Sequence, residues 1–279
     1  MKKRLDVILV EKGFFQSREK AKAAIMAGEI LVDGAIFDKP GMSVSEDAEI
    51  VYKGEKLPYV SRGGLKLEKA LKSFNIDLNN AVCMDIGAST GGFTDCMLQN
   101  GAKKVYAIDV GYGQLDYSLR TDNRVINLEK CNFRYFEDNP DNPVFTEKAS
   151  FASIDVSFIS LKLIFPKCVE FLSDDGRVCA LIKPQFEAGR EQVGKNGIVK
   201  DEGVHREVIQ NVLDYANQSG LSFGGLDYSP IQGAKGNIEY LVLLNKGINI
   251  GYNEMSDIID KIVSQAHSDF DKKRLAEEF

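Results

Sequence analysis

The chain has 279 residues, 44% of them apolar, and a formal net charge of −6, enough for one substantial core and a smaller second domain. No apolar run approaches the roughly 18 residues that span a membrane, and the basic start Met1-Lys2-Lys3-Arg4, interrupted by Asp6, Glu11 and Lys12, is not a secretion signal. Five cysteines with no C-x-x-C pair, and only two histidines, His205 and His267, argue against a disulfide framework and against zinc; a reduced, cytoplasmic protein without a metal is expected.

The N-terminal part is basic within an acidic whole: residues 1–25 carry 7 Lys/Arg against 3 Asp/Glu. Leu5, Ile8 and Leu9 share one face of a first helix that ends at Gly13. Ser17 is a natural N-cap for a second, Arg18 to Ala27, which stops at Gly28. The second helix sets Arg18, Lys20 and Lys22 against an apolar side of Ala21, Ala24 and Ile25. A hairpin follows, Glu29 to Val32 and Ala35 to Phe37 around the turn Asp33-Gly34. Lys39-Pro40-Gly41 breaks it, and Glu49 to Tyr52 reads as another short strand. Charge alone fits a solvated helix face as well as a nucleic-acid surface. The arrangement of Arg4-Leu5-Asp6, Gly13, Ser17-Arg18, Ala21, Ile25, Gly28, Ile30, Val32, Gly34 and Lys39-Pro40 resembles an S4 RNA-binding domain over residues 1–55. That resemblance implies RNA contacts by Arg4, Arg18, Lys20 and Lys22. Residues 56–60, with Pro58 and Tyr59, read as a linker.

Ser61-Arg62-Gly63-Gly64 opens a helix with apolar positions Leu65, Ala70, Leu71 and Phe74. Next come a strand, Ala81 to Met84, and the run Asp85-Ile86-Gly87-Ala88-Ser89-Thr90-Gly91-Gly92-Phe93. A helix to Asn100 follows, then a strand Lys104 to Ile108 ending at Asp109. Strand, glycine turn, helix, strand and acid form a nucleotide-binding βαβ layout, in which glycines admit close approach of backbone to ligand. The spacing is not that of a pyrophosphate binder. An acid before the first glycine suits a positively charged ligand, and S-adenosylmethionine fits. Asp109 reads as a ribose-holding acid or as a plain strand-end charge. Glu129 and Asn132, after a strand Val125 to Asn127, sit where the adenine side would be, or merely on the surface.

Further strands are expected at Phe151 to Ile154, ending at Asp155, and at Arg177 to Ile182, ending at Lys183. A helix from Leu161 to Leu172 lies between them, with Pro166 as a kink. Val204 to Ser219 reads as helix, Leu221 to Tyr228 and Ile238 to Leu244 as strands, and Glu254 onward as a polar amphipathic helix within a 247–279 extension. The fold class expected is α/β: a doubly wound, Rossmann-like sheet with an antiparallel edge hairpin, behind a small α+β domain. In such sheets ligands bind at the carboxyl ends of strands, so Asp85, Asp109, Asp155 and Lys183 should converge on one crevice.

Ser61-Arg62-Gly63-Gly64-Leu65-Lys66-Leu67, Asp85 to Phe93, Asp155, Lys183 and Glu239 resemble FtsJ-type ribose 2′-O-methyltransferases over residues 61–246. With the S4-like front, Asp155 to Leu161 and Lys183-Pro184-Gln185-Phe186-Glu187, the chain is similar to the TlyA family, often called hemolysin A. Its members methylate cytidine riboses of bacterial ribosomal RNA. The resemblance implies a catalytic set of Lys66, Asp155, Lys183 and Glu239. Lys183 would activate the hydroxyl, Lys66 would orient it, and the two acids would hold the lysines. It also implies S-adenosylmethionine on Asp85, Gly87 to Phe93, Asp109 and Asp155, with ribosomal RNA or subunits as partner. Asp155-Val156-Ser157-Phe158 is not the Asn/Asp-Pro-Pro-aromatic motif used on exocyclic amines, and no Pro-Cys pair offers a nucleophile for carbon-5 methylation. Arg62, and Arg190 and Lys195 in the Gly-rich segment Ala188 to Lys200, are further RNA candidates. That segment reads as an RNA-facing lid or as an ordinary surface loop. The alternatives are a noncatalytic RNA-binding protein and the membrane-active hemolysin of the family label.

Overall fold

The computed structural model describes residues 2–15, 17–26, 28–54, 57–247 and 255–277, in two compact units, Met1–Leu57 and Pro58–Phe279. Ala27, the expected end of the second helix, Lys56 of the expected linker, and residues 248–254 and 278–279 of the expected C-terminal extension lie outside the described residues.

In the first unit, β1 (Lys2–Arg4) leads into α1 (Leu5–Glu11), followed by α2 (Arg18–Met26), β2 (Ile30–Val32), β3 (Ala35–Ile36), β4 (Ser43–Ser45) and β5 (Ile50–Tyr52). Leu5, Ile8 and Leu9 of α1 meet Ala21, Ala24 and Ile25 of α2 over Ile30 and Val32, so the helical stripe and alternate strand positions share one core. The expected hairpin is present, with β2 between β3 and β5, all antiparallel. A second pair, β1 with β4, was not expected: three residues at the chain start pair with three some forty positions on.

Asp6 has no exposed surface, yet both of its oxygens are bonded. Arg4 donates to Oδ1 and Oδ2 at 2.9 and 3.1 Å, and Arg18 donates to Oδ2 at 2.8 Å. The Arg4 guanidinium, with Arg18 beside it, holds the Asp6 carboxyl down at about 2 despite burial. A carboxylate with a lowered folded pKa contributes stability above its unfolded value near 4 and loses it as pH falls toward 2. Asp6→Ala should therefore destabilise the first unit by about 1–3 kcal/mol at neutral pH. Its thermal transition, compared with the unsubstituted chain between pH 7 and pH 2, should show that difference shrinking on acidification.

The second unit begins with α3 (Gly63–Ser73), then β6 (Val82–Ile86), α4 (Gly92–Gln99), β7 (Lys104–Ile108), α5 (Tyr117–Arg120), β8 (Val125–Leu128) and β9 (Ala149–Ile154). It continues with α6 (Phe165–Phe171), β10 (Leu172–Ile182), α7 (Pro184–Glu187), α8 (Glu202–Gln218), β11 (Leu221–Tyr228), β12 (Tyr240–Lys246) and α9 (Met255–Glu277). Seven strands form one sheet in the order β11-β12-β10-β9-β6-β7-β8. The pairs from β10 through β8 are parallel, and β11 and β12 are the antiparallel edge hairpin that the sequence led us to expect.

Alternation along the strands feeds two cores. Val82, Met84 and Ile86 of β6 join Tyr106 and Ile108 of β7 on the face packed by α6, α8 and α9. Cys83, Val105 and Ala107 point to the face packed by α3 and α4. The chain runs β6-β7-β8 to one side and then returns to β9 on the other side of β6, so the strand order reverses there and opens a crevice at the strands' carboxyl ends. Pro166 does not kink a helix. A 3-10 turn, Leu161–Leu163, comes first, and Pro166 lies in the opening turn of α6, where its missing N–H costs no hydrogen bond. All five cysteines are free, four of them buried. Among the described residues no helix is long and apolar enough to cross a membrane, and no cluster of three or more His, Cys, Asp or Glu could hold a metal ion.

Candidate active site

A cleft of about 470 Å³ opens at the switch point, lined from the glycine turn by Gly87 to Thr90 and Phe93, and from the other strand ends by Asp155, Phe158, Lys183 and Glu239. Backbone bonds shape the turn: Gly87 N and Ala88 N both donate to Ile108 O, at 2.9 and 3.1 Å, and Asp155 N donates to Ile86 O at 3.0 Å. Gly87 has φ +89°, and a Cβ there would stand 2.5 Å from Asp155 O. Only glycine lets the segment after β9 come so close to the turn after β6.

Four charged side chains meet along the floor. Lys66 comes from α3, Asp155 follows β9, Lys183 follows β10 and Glu239 precedes β12. Glu239 Oε2 lies 2.6 Å from Lys66 Nζ, which lies 3.9 Å from Asp155 Oδ2. Asp155 Oδ1 lies 2.6 Å from Lys183 Nζ, at an angle outside hydrogen-bond range, and Lys183 donates to Ser157 Oγ at 3.0 Å. Lys66, Lys183 and Glu239 are buried. Acid, base, acid and base alternate, so the row is neutral as a whole, which offsets the cost of burying each charge. Gly233 abuts the Glu239 carboxylate, and a Cβ there would collide with Oε1. Glu239 O accepts from Ser229 N at 2.8 Å. Ser157 and Phe158 were read from the sequence only as parts of a motif, without a role, and Gly233 was not singled out. Phe158 stands at the cleft with 90% of its surface exposed and φ +63°, a rare backbone for an aromatic residue.

The acids expected at a cofactor are placed differently from one another. Asp109 is half-buried at the end of β7; Oδ2 accepts from Ser89 N at 2.8 Å and Oδ1 from Gly111 N at 2.7 Å, joining the glycine turn to the next loop. Asp85 lies beneath the turn, fully buried, and does not line the cleft. Its oxygens accept from Thr94 Oγ1 at 2.6 Å and Ser153 Oγ at 3.1 Å. Burial pushes the Asp85 carboxyl up to about 7, against the lowering by those hydroxyls. A carboxyl whose folded pKa is raised lends most stability below its unfolded value, and that contribution is lost as pH rises through 7. Asp85→Asn can keep both partners, so it should remove a destabilisation of about 2–4 kcal/mol that develops between pH 4 and 7. Thermal transitions of the cofactor-free protein over that range should show the stability of the unsubstituted chain falling relative to Asp85→Asn as pH rises. A parallel course for the two would reject this.

Glu129 is half-buried and ion-paired with Arg120, and Asn132 is exposed. Arg62 is exposed and lines the cleft beside Ser61 and Gly63. Arg190 and Lys195 are exposed on the segment after α7 and do not line it. That segment is tied down at its end. Asn237 donates to Gly197 O at 2.9 Å and accepts from Val199 N at 3.1 Å, and His205 Nε2 lies 3.1 Å from Val199 O. Because a carbonyl only accepts, Nε2 carries the proton, leaving Nδ1 to accept from Tyr240 at 2.7 Å. In the first unit Arg4, Arg18 and Lys20 are exposed and Lys22 is half-buried; the two arginines share Asp6.

The FtsJ-like methyltransferase family matches residues 59–246, and the S4 domain matches residues 3–50. A Bacillus subtilis (strain 168) protein, provisionally named the rRNA methyltransferase YqxC, is 49% identical over 98% of this chain and 97% of its own. The 16S/23S rRNA (cytidine-2′-O)-methyltransferase TlyA of Mycobacterium tuberculosis (strain ATCC 25618 / H37Rv) is 37% identical over 94% of this chain and 97% of its own. A solved structure from Streptococcus thermophilus, provisionally named a hemolysin, is 51% identical and covers 98% of each chain with a TM-score of 0.78.

Proposed function

The chain belongs to the FtsJ-like methyltransferase family, and from that premise we propose that it transfers a methyl group from S-adenosylmethionine to the 2′-hydroxyl of a cytidine ribose in ribosomal RNA. The observation that carries this reading is the alternating row Glu239, Lys66, Asp155 and Lys183 on the floor of the cleft. It is supported by relatives named as rRNA methyltransferases along nearly the whole chain, and by the S4 domain in front.

The residues present fit the cofactor. The turn 87–90 gives the cleft a wall of backbone and small side chains, and Gly87 lets Asp155 close against that wall. Asp109 fixes that turn and keeps lone pairs for ribose hydroxyls at the end of β7. When bound, S-adenosylmethionine supplies an electrophilic methyl group on a sulfonium.

A ribose hydroxyl is a poor nucleophile until its proton is accepted or strongly hydrogen-bonded. Lys183 Nζ, beside Asp155 and Ser157, is the group placed at that hydroxyl: neutral, it takes the proton; as an ammonium, it donates to the developing negative charge. Lys66, held by Glu239, orients the hydroxyl from the other side of Asp155. Asp155 links the two lysines and keeps their separation constant, so positioning contributes much of the rate. Phe158, presented to solvent at the cleft, is suited to stack on a base swung out of its helix, which would bring the ribose to Lys183. Arg4, Arg18, Lys20 and Lys22 of the S4 domain, with Arg62, Arg190 and Lys195, supply phosphate contacts that hold RNA without choosing sequence.

Purified protein with methyl-labelled S-adenosylmethionine and ribosomal subunits should label the RNA and leave subunit proteins unlabelled. Label on protein, or RNA binding without label, would overturn the reading.

A further inference from the structure

Three contacts join the segment after β9 to the segment after β10. At the cleft floor Lys183 meets Asp155 and Ser157. Midway, the rings of Phe158 and Phe186 lie 4.8 Å apart. At the far end, Glu187 Oε2 accepts from Ser160 Oγ at 2.7 Å and Oε1 accepts from Leu161 N at 2.8 Å. Glu187 does not line the cleft, and the reaction as described above makes no use of it.

The contact at the far end has mechanical work to do. Residues 155–160 between β9 and the 3-10 turn have no regular structure, and α7 is a single turn. One helical turn is not stable in isolation and needs tertiary contacts. Phe158 sits in a sparsely populated backbone region that persists only where neighbouring contacts over-determine it. Both segments are anchored in the sheet at one end, at Ile154 and at Ile182. Each would otherwise hinge at its strand. A carboxylate that accepts one bond on each oxygen, from two adjacent residues, fixes both distance and direction between them. Burial pushes the Glu187 carboxyl up, and its two donors favour the charged form that accepts both bonds.

We propose that Glu187 is a positioning residue: by clamping Ser160 and Leu161 to the end of α7 it holds Asp155, Ser157 and Phe158 in register with Lys183, without touching substrate or cofactor. The proposal rests on the methyl-transfer reading for its kinetic consequence, but the clamp itself has a readout independent of turnover. The glycine turn 87–92 makes no bond to Glu187, so binding of S-adenosylmethionine is left as it is.

The experiment compares hydrogen exchange of residues 156–163 and steady-state methylation of ribosomal subunits for the unsubstituted chain, Glu187→Ala, Glu187→Gln and Ser160→Ala. Gln can accept from Leu161 N and donate to Ser160 Oγ, so it rescues; Ser160→Ala cuts one of the two bonds, together with the bond from Lys162 N to Ser160 Oγ, and leaves the carboxylate, so read at the amides of residues 156–159 it decides the matter if Glu187→Ala does not fold. Expected are faster exchange of 156–163 in Glu187→Ala, an intermediate rate in Ser160→Ala, and near-normal exchange in Glu187→Gln. The kcat should fall by roughly 10- to 100-fold in Glu187→Ala, with KM for S-adenosylmethionine unchanged. Unchanged exchange in Glu187→Ala, or faster exchange with normal kcat, overturns the proposal. No turnover by the unsubstituted chain refutes the methyl-transfer reading instead, and the exchange rates then still decide the clamp.

Discussion

Lys183→Ala is expected to lower kcat for RNA methylation by about 10²- to 10⁴-fold, the range over which positioned proton-transfer groups act, while S-adenosylmethionine still binds. Lys183 is the member of the charged row that ends it and also reaches Ser157, so its removal strips the hydroxyl of its partner and leaves Asp155 with only Lys66, 3.9 Å away. The effect belongs in kcat rather than in KM for the cofactor, because an interaction made at the reacting hydroxyl strengthens in the transition state. Lys183→Arg separates two roles. A guanidinium keeps the positive charge and the reach but stays protonated. Full loss in Lys183→Arg assigns the lysine to accepting the proton, and substantial retained activity assigns it to holding developing charge. Near-normal turnover in Lys183→Ala would remove it from the reaction altogether.

The second large effect is expected from a residue without a side chain. Gly87→Ala places a Cβ 2.5 Å from the backbone oxygen of Asp155 at a position with φ +89°. The backbone conformation alone costs about 1–2 kcal/mol for a residue with a Cβ, and the collision is with main chain, which cannot rotate away. Relief requires β6 and β9 to part at their carboxyl ends, where the cofactor wall and Asp155 both lie. A loss of about 3 kcal/mol or more is expected, equivalent to a fall of about 6–12 °C in the thermal transition of a domain this size. Cofactor affinity and turnover should fall together, unlike in Lys183→Ala. Calorimetry with cofactor titration checks both parts. A Gly87→Ala protein with normal melting and normal affinity would show that the close approach of the two segments is not needed.

Much of the second unit was legible because its signals are local. The strand ending in Asp85-Ile86-Gly87 and the acid after Ile108 announce a switch-point turn from spacing alone, and apolar runs of four or five residues announce the buried strands. The FtsJ-like resemblance selected Lys66 and Glu239, which lie 173 positions apart and have no periodic signature that would pair them; the fold brings them to 2.6 Å. What escaped notice is non-local or small. β1 and β4 are too short to show alternation and pair across some forty residues. Pro166 in an apolar run looks like a break within a helix, and only the preceding 3-10 turn reveals it as a start. Asp6 appeared as part of a motif, while its meaning depends on Arg4 and Arg18 arriving from two elements. Asp85 was expected at the cofactor from its place before the first glycine. Strand alternation sends it under the turn to Thr94 and Ser153 instead. Glu187 ends a recognisable motif, yet nothing in the sequence indicates that its carboxylate turns back to Ser160 and Leu161.

The functional reading rests on the fate of one methyl group. Ribosomal subunits incubated with the purified protein and methyl-labelled S-adenosylmethionine, then digested to nucleosides and resolved by mass spectrometry, should place the label in 2′-O-methylcytidine, and Lys183→Ala should leave that nucleoside unlabelled. Label in a base-methylated nucleoside, or equal labelling by Lys183→Ala, would contradict a ribose-directed reaction run from the Glu239-Lys66-Asp155-Lys183 row.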